Sequence, residues 1–265
     1  MKYGILGLVV AATYYGVAPT PHHAAATGGA RQGEEWTWSG RVAAGKTLEI
    51  RGVNGGISAE PASGDRVEVR AQKHGRHDDP ADVRIEVVEH DGGVTICAVY
   101  PGRDNACQPG GGQMHVHDND VAVDFTVRVP GGVRFEGATV NGDASAMNLG
   151  GPVELNTVNG GVRLETMSGD AEAETVNGSI TATVHALGER PLRFQTVNGG
   201  ITLTLPAGLN ADLSAETVNG SIQSDFPLLV QGRINPRELH GRLGNGGRAL
   251  ELETVNGSIR LRQLP

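Results

Sequence analysis

The segment Glu174-Thr175-Val176-Asn177-Gly178-Ser179-Ile180 has close counterparts in Asn156-Thr157-Val158-Asn159-Gly160-Gly161-Val162 and Gln195-Thr196-Val197-Asn198-Gly199-Gly200-Ile201. The register these segments share decides the fold. Aligned on the asparagine of Val-Asn-Gly, the chain carries corners at Asn54, Asn141, Asn159, Asn177, Asn198, Asn219 and Asn256, and Met167-Ser168-Gly169 reads as a degenerate eighth copy. Six positions before the asparagine stand Leu48, Phe135, Val153, Ala171, Leu192, Leu213 and Leu250. Three positions after it stand Ile57, Ala144, Val162, Ile180, Ile201, Ile222 and Ile259. Two before it is threonine in every copy but the first. Small or apolar residues therefore alternate with Arg, Glu, Gln and Thr at period two, the mark of strands with one buried face.

Asn and Gly both tolerate positive φ, so each Asn-Gly is expected to turn the chain sharply. A second turn signal, such as Gly150-Gly151-Pro152 or Pro206-Ala207-Gly208, lies midway through each interval. One period thus holds two short strands and two turns. Two architectures satisfy this. In a β-solenoid each period of ~18–21 residues is one coil, and equivalent strands stack in parallel about 4.8 Å apart. In an antiparallel β meander each Asn-Gly is a hairpin turn. The solenoid is preferred because it gives the uniform Thr-Val-Asn-Gly a physical cause, namely side-chain ladders along the stack. Between Val67 and Pro130 the strands read as longer, and this part is expected to elaborate the same domain.

Composition excludes several classes. The 265 residues carry 22 Lys plus Arg against 30 Asp plus Glu, a net charge of −8 with no basic footprint for nucleic acid. The 40 glycines are roughly twice ordinary usage, as a turn-rich chain requires. At the start, Lys2, the apolar run Gly4 to Thr13 and the small residues Ala24 to Ala26 follow the order of a secretory signal. Residues 1–26 are expected to be a signal peptide cleaved after Ala26, since Pro19 spoils the other small-residue site. Residues 27–34 should form a flexible tail and 35–265 a single β domain, with a longer-stranded part at 35–132 and the regular repeats at 133–265. The apolar run is shorter than a membrane span needs, which argues against an uncleaved anchor. Export would let Cys97 and Cys107, the only cysteines, close a disulfide loop.

Other motifs carry little chemistry. Gly40 to Thr47 spells G-x-x-x-x-G-K-T, but Thr47-Leu48-Glu49-Ile50 alternates as a strand where a phosphate loop needs a helix. Gly244 to Ala249 spells G-x-G-x-x-A with a strand following as well. His115, His117, Asp118 and Asp120, and likewise His74, His77, Asp78 and Asp79, could offer metal ligands but read as solvated loops. The Asn-Gly-Ser sequons at Asn177, Asn219 and Asn256 follow from the repeat itself. No catalytic, cofactor-binding or metal residue is assigned. The outward positions Arg163, Glu165, Thr181, Thr202, Thr204, Arg260 and Arg262 show no acidic cluster of the kind a polysaccharide-cleaving β-helix would use.

The Val-Asn-Gly corners, the ending Gly241 to Ile259 and the stretch Asp120 to Val133 resemble the bacterial "putative adhesin" family, exported β-strand-repeat proteins with a domain of unknown function. The resemblance covers residues 48 to 262. It implies a right-handed β-helix-like fold, a cell-envelope location and no catalytic residues. The expected function is thus a non-enzymatic exported surface protein, in the periplasm, on the outer surface or outside the cell. It would present a repetitive surface to a macromolecule, protein or glycan. The alternatives are a structural or stress-responsive periplasmic protein and, third, a polysaccharide-active enzyme. An uncapped stack end near Leu261 would favour self-association.

Overall fold

The computed structural model describes residues 34–112, 114–167, 169–227, 229–230 and 235–265. The expected signal peptide 1–26 lies outside the described residues, as does the tail up to residue 33.

Strands dominate because the alternating pattern leaves one face of each short segment apolar. The first part holds β1 (Glu34–Gly40), β2 (Thr47–Arg51), β3 (Ile57–Pro61), β4 (Val67–His74), β5 (Arg84–His90), β6 (Gly93–Val99) and β7 (Ala122–Val129), with one 3-10 turn at Pro80–Asp82. Regular coils follow as β8 (Arg134–Ala138), β9 (Ala144–Leu149), β10 (Val153–Asn159), β11 (Val162–Thr166), β12 (Ala171–Asn177), β13 (Ile180–Val184), β14 (Leu192–Asn198) and β15 (Ile201–Leu205). The last part is β16 (Ala211–Asn219), β17 (Ile222–Ser224), β18 (Leu229–Val230), β19 (Glu238–Leu243), β20 (Arg248–Asn256) and β21 (Ile259–Gln263).

Two sheets face each other. One runs β1-β4-β7-β3-β9-β11-β13-β15-β21-β17, the other β18-β19-β16-β20-β14-β12-β10-β8-β2-β6-β5. The strands before and after each Asn-Gly lie in different sheets, so the corner passes the chain between layers and is not a hairpin. Equivalent strands pair in parallel and in register, as in Leu155 with Ala173 and Val162 with Ile180. This is a β-solenoid, and the parallel pairing overturns the meander. Leu155, Phe194 and Leu203 from successive coils are fully buried between the sheets, and the same apolar cluster extends from Val42 to Leu261.

Spatial order departs from chain order at both ends. The coil β2–β3 lies inside the coil β6–β7, which the chain forms later. At the far end β20 inserts between β14 and β16, and β21 between β15 and β17. Leu261 is therefore interior, and the expected uncapped end near it is corrected. The outermost coil is β16–β17, whose β16 edge is covered by antiparallel β19 and then β18. At the opposite end, antiparallel β4 and β1 cover β7, and β5 covers β6. These antiparallel covers leave β1, β5 and the short β17 and β18 as the sheet edges, and an open edge is the usual template for further pairing.

Candidate functional site

The corner is built from three residues with separate roles. Asparagine side chains form one ladder along the stack, in the spatial order 54, 141, 159, 177, 198, 256, 219. Each Nδ2 donates to the Oδ1 of the neighbour nearer Asn54, from Asn141 to Asn54 at 2.8 Å through to Asn219 to Asn256 at 2.8 Å. The amide dipoles align head to tail, so neighbouring bonds polarise one another. The threonine two positions earlier points inward and is buried at Thr139, Thr157, Thr175, Thr196, Thr217 and Thr254. Its Oγ1 donates to the corner glycine carbonyl of the adjacent coil, as from Thr175 to Gly160 at 2.8 Å. In the first coil Gly52 takes the threonine's place, and Thr139 reaches across to Gly55 at 2.9 Å.

The glycine has a cause the sequence reading mis-assigned. Of the seven corner glycines only Gly55 has positive φ, at 112°. The others are required by close stacking: a methyl on Gly178 would lie 2.5 Å from the Gly160 carbonyl carbon and nearer still to its oxygen. The same approach recurs from Gly160 to Gly142 and from Gly257 to Gly199, each at 2.5 Å. The proposed eighth copy is also corrected, because Gly169 sits against Ala186 and Gly188, in the turns opposite the ridge.

Beside the ridge, the outer face of the β16-β20-β14-β12-β10-β8-β2 sheet carries carboxylates at positions before each Asn-Gly, unlike the dispersed outward positions that follow it. Glu49, Glu136, Glu154 and Glu172 stand in register on four adjacent strands. Arg134 relieves their repulsion by bridging Glu136 at 2.6 Å and Glu154 at 2.8 Å. Arg51 pairs with Glu49 at 2.7 Å, and Arg193 with Glu251 at 2.9 Å. A second column runs Glu174, Gln195, Glu253, Glu216 across β12, β14, β20 and β16. These side chains and the valines Val197, Val218 and Val255 line a groove of about 220 Å³, walled by Asn235, Arg237 and Glu238. Loss of water raises the Glu174 carboxyl above its ordinary range, helped by the Glu154 charge. Glu253 is raised by the same loss of water, then by Glu216 and Glu251.

Cys97 and Cys107 are joined, with Cα atoms 5.5 Å apart. Their loop belongs to a long excursion that leaves the stack where the other coils turn through Val-Asn-Gly. Tyr100 occupies the corner position there, buried, its hydroxyl donating to the Val121 carbonyl at 2.8 Å. Burial pushes its pKa up to about 12. His115 and His117 are exposed on this excursion. Asp120 accepts from the backbone N–H of Asp78 at 3.1 Å and of His77 at 3.0 Å, and its oxygen lies 2.8 Å from His77 Nδ1. The Asp78 bond, then those of His77, hold its pKa down at about 2. The two expected loop clusters thus meet, and their carboxylates pin loops together. Among the described residues the trio that brings ligand atoms within 4.8 Å of one another is elsewhere: Glu216, Glu238 and His240, all exposed. The G-x-x-x-x-G-K-T segment joins β1 to β2, and the G-x-G-x-x-A segment joins β19 to β20, so neither meets a helix. Tyr100, Phe125, Phe135, Phe194 and Phe226 are buried, which leaves them unable to stack on a sugar.

The sequence profile described as Toastrack DUF4097 matches residues 107–262. No curated protein matches. Among solved structures, a "putative cell adhesion protein" from Clostridium sporogenes is 13% identical, covering 88% of this chain and 100% of that one, with a TM-score of 0.48. A "putative adhesin" from Bacteroides fragilis is 12% identical, covering 87% of this chain and 97% of that one, with a TM-score of 0.28. Among the described residues no helix is long and apolar enough to cross a membrane.

Proposed function

From the premise that this chain belongs to the Toastrack DUF4097 family, we propose that it is an exported envelope or surface protein that acts by display and not by catalysis. The observation that carries this reading is the in-register repetition of outward positions over successive coils. It makes one sheet face a continuous surface whose columns of Glu and half-buried valine recur at strand spacing. Extended solenoid faces of this kind suit macromolecular partners, and the acidic columns favour one that presents amines or guanidinium groups. The Cys97–Cys107 disulfide supports an oxidising compartment. Protease shaving of intact cells tests surface exposure. Loss of the protein from shaved cells supports display to the outside, whereas full retention with intact envelopes leaves the structural periplasmic role.

One observation favours a second reading. The groove gathers Glu174, Glu216, Glu238 and Glu253, and two of these carboxyls are raised, as an acid catalyst for polysaccharide cleavage would need. Incubation with a panel of polysaccharides separates the readings. Hydrolysis that disappears in Glu253→Gln establishes catalysis, and binding without hydrolysis establishes display.

A further inference from the structure

The ridge repeats one chemically vulnerable dipeptide seven times. In an Asn-Gly pair the glycine backbone nitrogen can attack the asparagine Cγ. The new N–Cγ bond closes a five-membered imide as the Cγ–Nδ2 bond breaks and ammonia leaves. Water then opens either C–N bond of the imide, giving aspartate or isoaspartate, with no oxidant or cofactor involved. The attack needs a glycine N–H free to lose its proton and an asparagine side chain free to rotate onto it.

Six of the seven pairs are denied both freedoms. Their glycine N–H groups donate to the asparagine carbonyl of the adjacent coil: Gly55 at 2.9 Å, Gly142 and Gly199 at 3.0 Å, and Gly160, Gly178 and Gly257 at 3.1 Å. Their side-chain amides are tied into the ladder through the Oδ1 atom, and in Asn141, Asn159, Asn177, Asn198 and Asn256 through Nδ2 as well. The seventh pair stands at the end of the ladder. Asn219 donates to Asn256 at 2.8 Å, but its own Oδ1 receives no hydrogen bond among the described residues. The Gly220 N–H likewise has no acceptor among the described residues. Both residues are exposed, beside Val218 at 54% exposure.

We propose that Asn219–Gly220 is a site of spontaneous covalent modification, converting to aspartate and isoaspartate while the other six ridge pairs persist. The product replaces the ladder's terminal donor with a carboxylate facing Asn256 Oδ1. It also adds a negative charge at the ridge end, next to Val218, which lines the groove. Isoaspartate further inserts a backbone methylene at the corner between β16 and β17 and displaces β17 from its register with β21. The stack end thus carries a chemical record of age that the sequence, with its identical repeats, does not reveal.

The test is incubation of the folded full-length protein in mildly alkaline buffer, followed by peptide mapping. Fragment ions assign each asparagine, and isoaspartyl methyltransferase labelling identifies the isomer. Asn219 is expected to convert on the order of tenfold or more faster than Asn159, Asn177, Asn198 or Asn256, since each of those must first give up a hydrogen bond. In denaturant all seven should converge on one rate. Asn245-Gly246, an exposed turn off the ridge where Gly246 N–H still donates to Leu243 at 3.1 Å, serves as an internal reference. The proposal is overturned if native Asn219 reacts as slowly as Asn177 while the denatured sample or Asn245 converts, or if Asn177 reacts as fast as Asn219 in the folded protein.

Discussion

Replacing Gly178 with alanine isolates the stacking of the corners from every other role of glycine. Gly178 does not have positive φ, so an alanine there meets no intrinsic backbone penalty. Its methyl would, however, sit 2.5 Å from the Gly160 carbonyl carbon. Relief requires the two corners to part, and three bonds span that gap: Asn177 to Asn159 at 2.8 Å, Thr175 to Gly160 at 2.8 Å and Gly160 N–H to Asn177 at 3.1 Å. Each is worth about 1 kcal/mol net, and the buried Thr175 hydroxyl left without its acceptor adds to the loss, so Gly178→Ala should cost about 3–5 kcal/mol. Gly208→Ala is the control. Gly208 has φ of 76° and open space around it, so its alanine suffers only left-handed strain of about 1–2 kcal/mol. Urea unfolding of both variants, followed by far-ultraviolet circular dichroism, gives the comparison directly. Equal losses, or a milder one at Gly178, would refute the claim that close packing of the corners selects glycine.

Burial and linkage supply three further expectations. Leu203 is fully buried and Thr202 faces outward, so Leu203→Asp should destabilise by more than about 3 kcal/mol and Thr202→Asp by less than about 1 kcal/mol; thermal melts check both. The disulfide closes a loop with a sequence separation of 10, so reduction should remove about 2–3 kcal/mol, and an unchanged melting temperature on adding reductant would contradict this. Because the folded state raises the Glu174 and Glu253 carboxyls, it binds their protons more readily than the unfolded chain does. Stability should therefore rise as pH falls from neutral through their raised values, and Glu174→Gln with Glu253→Gln should flatten that limb. Asp120 acts oppositely: its contribution is present above the ordinary 3.8 and is lost as pH falls toward about 2, turning the melting-temperature profile down in strong acid.

The repeat made the parallel stack and its core legible, because alternation about a fixed Asn-Gly admits few other solutions. Leu155, Ile180 and Leu203 point inward as that register demands. The reason for the glycine was not legible. Positive φ and close approach leave the same letter in a sequence, and only neighbouring coordinates separate them. Nor could the repeat announce that β20–β21 fall between β14–β15 and β16–β17. Every coil carries the same register, so each can dock against any other, and the choice rests with the connecting segments. The acidic face was within reach: Glu136, Glu154, Glu172 and Glu251 stand at one register position, five before the asparagine. Reading that column, and the one two positions later that holds Glu174, Glu216 and Glu253, would have exposed it. The joining of the His77 and Asp120 loops was not, since 43 residues separate the pair and no periodicity links them.

The late place of β20–β21 in the chain separates the order of synthesis from the order of stacking. Translation delivers β16–β17 first, yet the strands that separate that coil from β14–β15 in the finished stack come later in the chain. A polypeptide interrupted after Ser224 therefore lacks the coil that joins β14–β15 to β16–β17. Synthesis order and stacking order thus part company at this end, and a truncation there removes an interior layer of the stack while leaving its outer one in the chain.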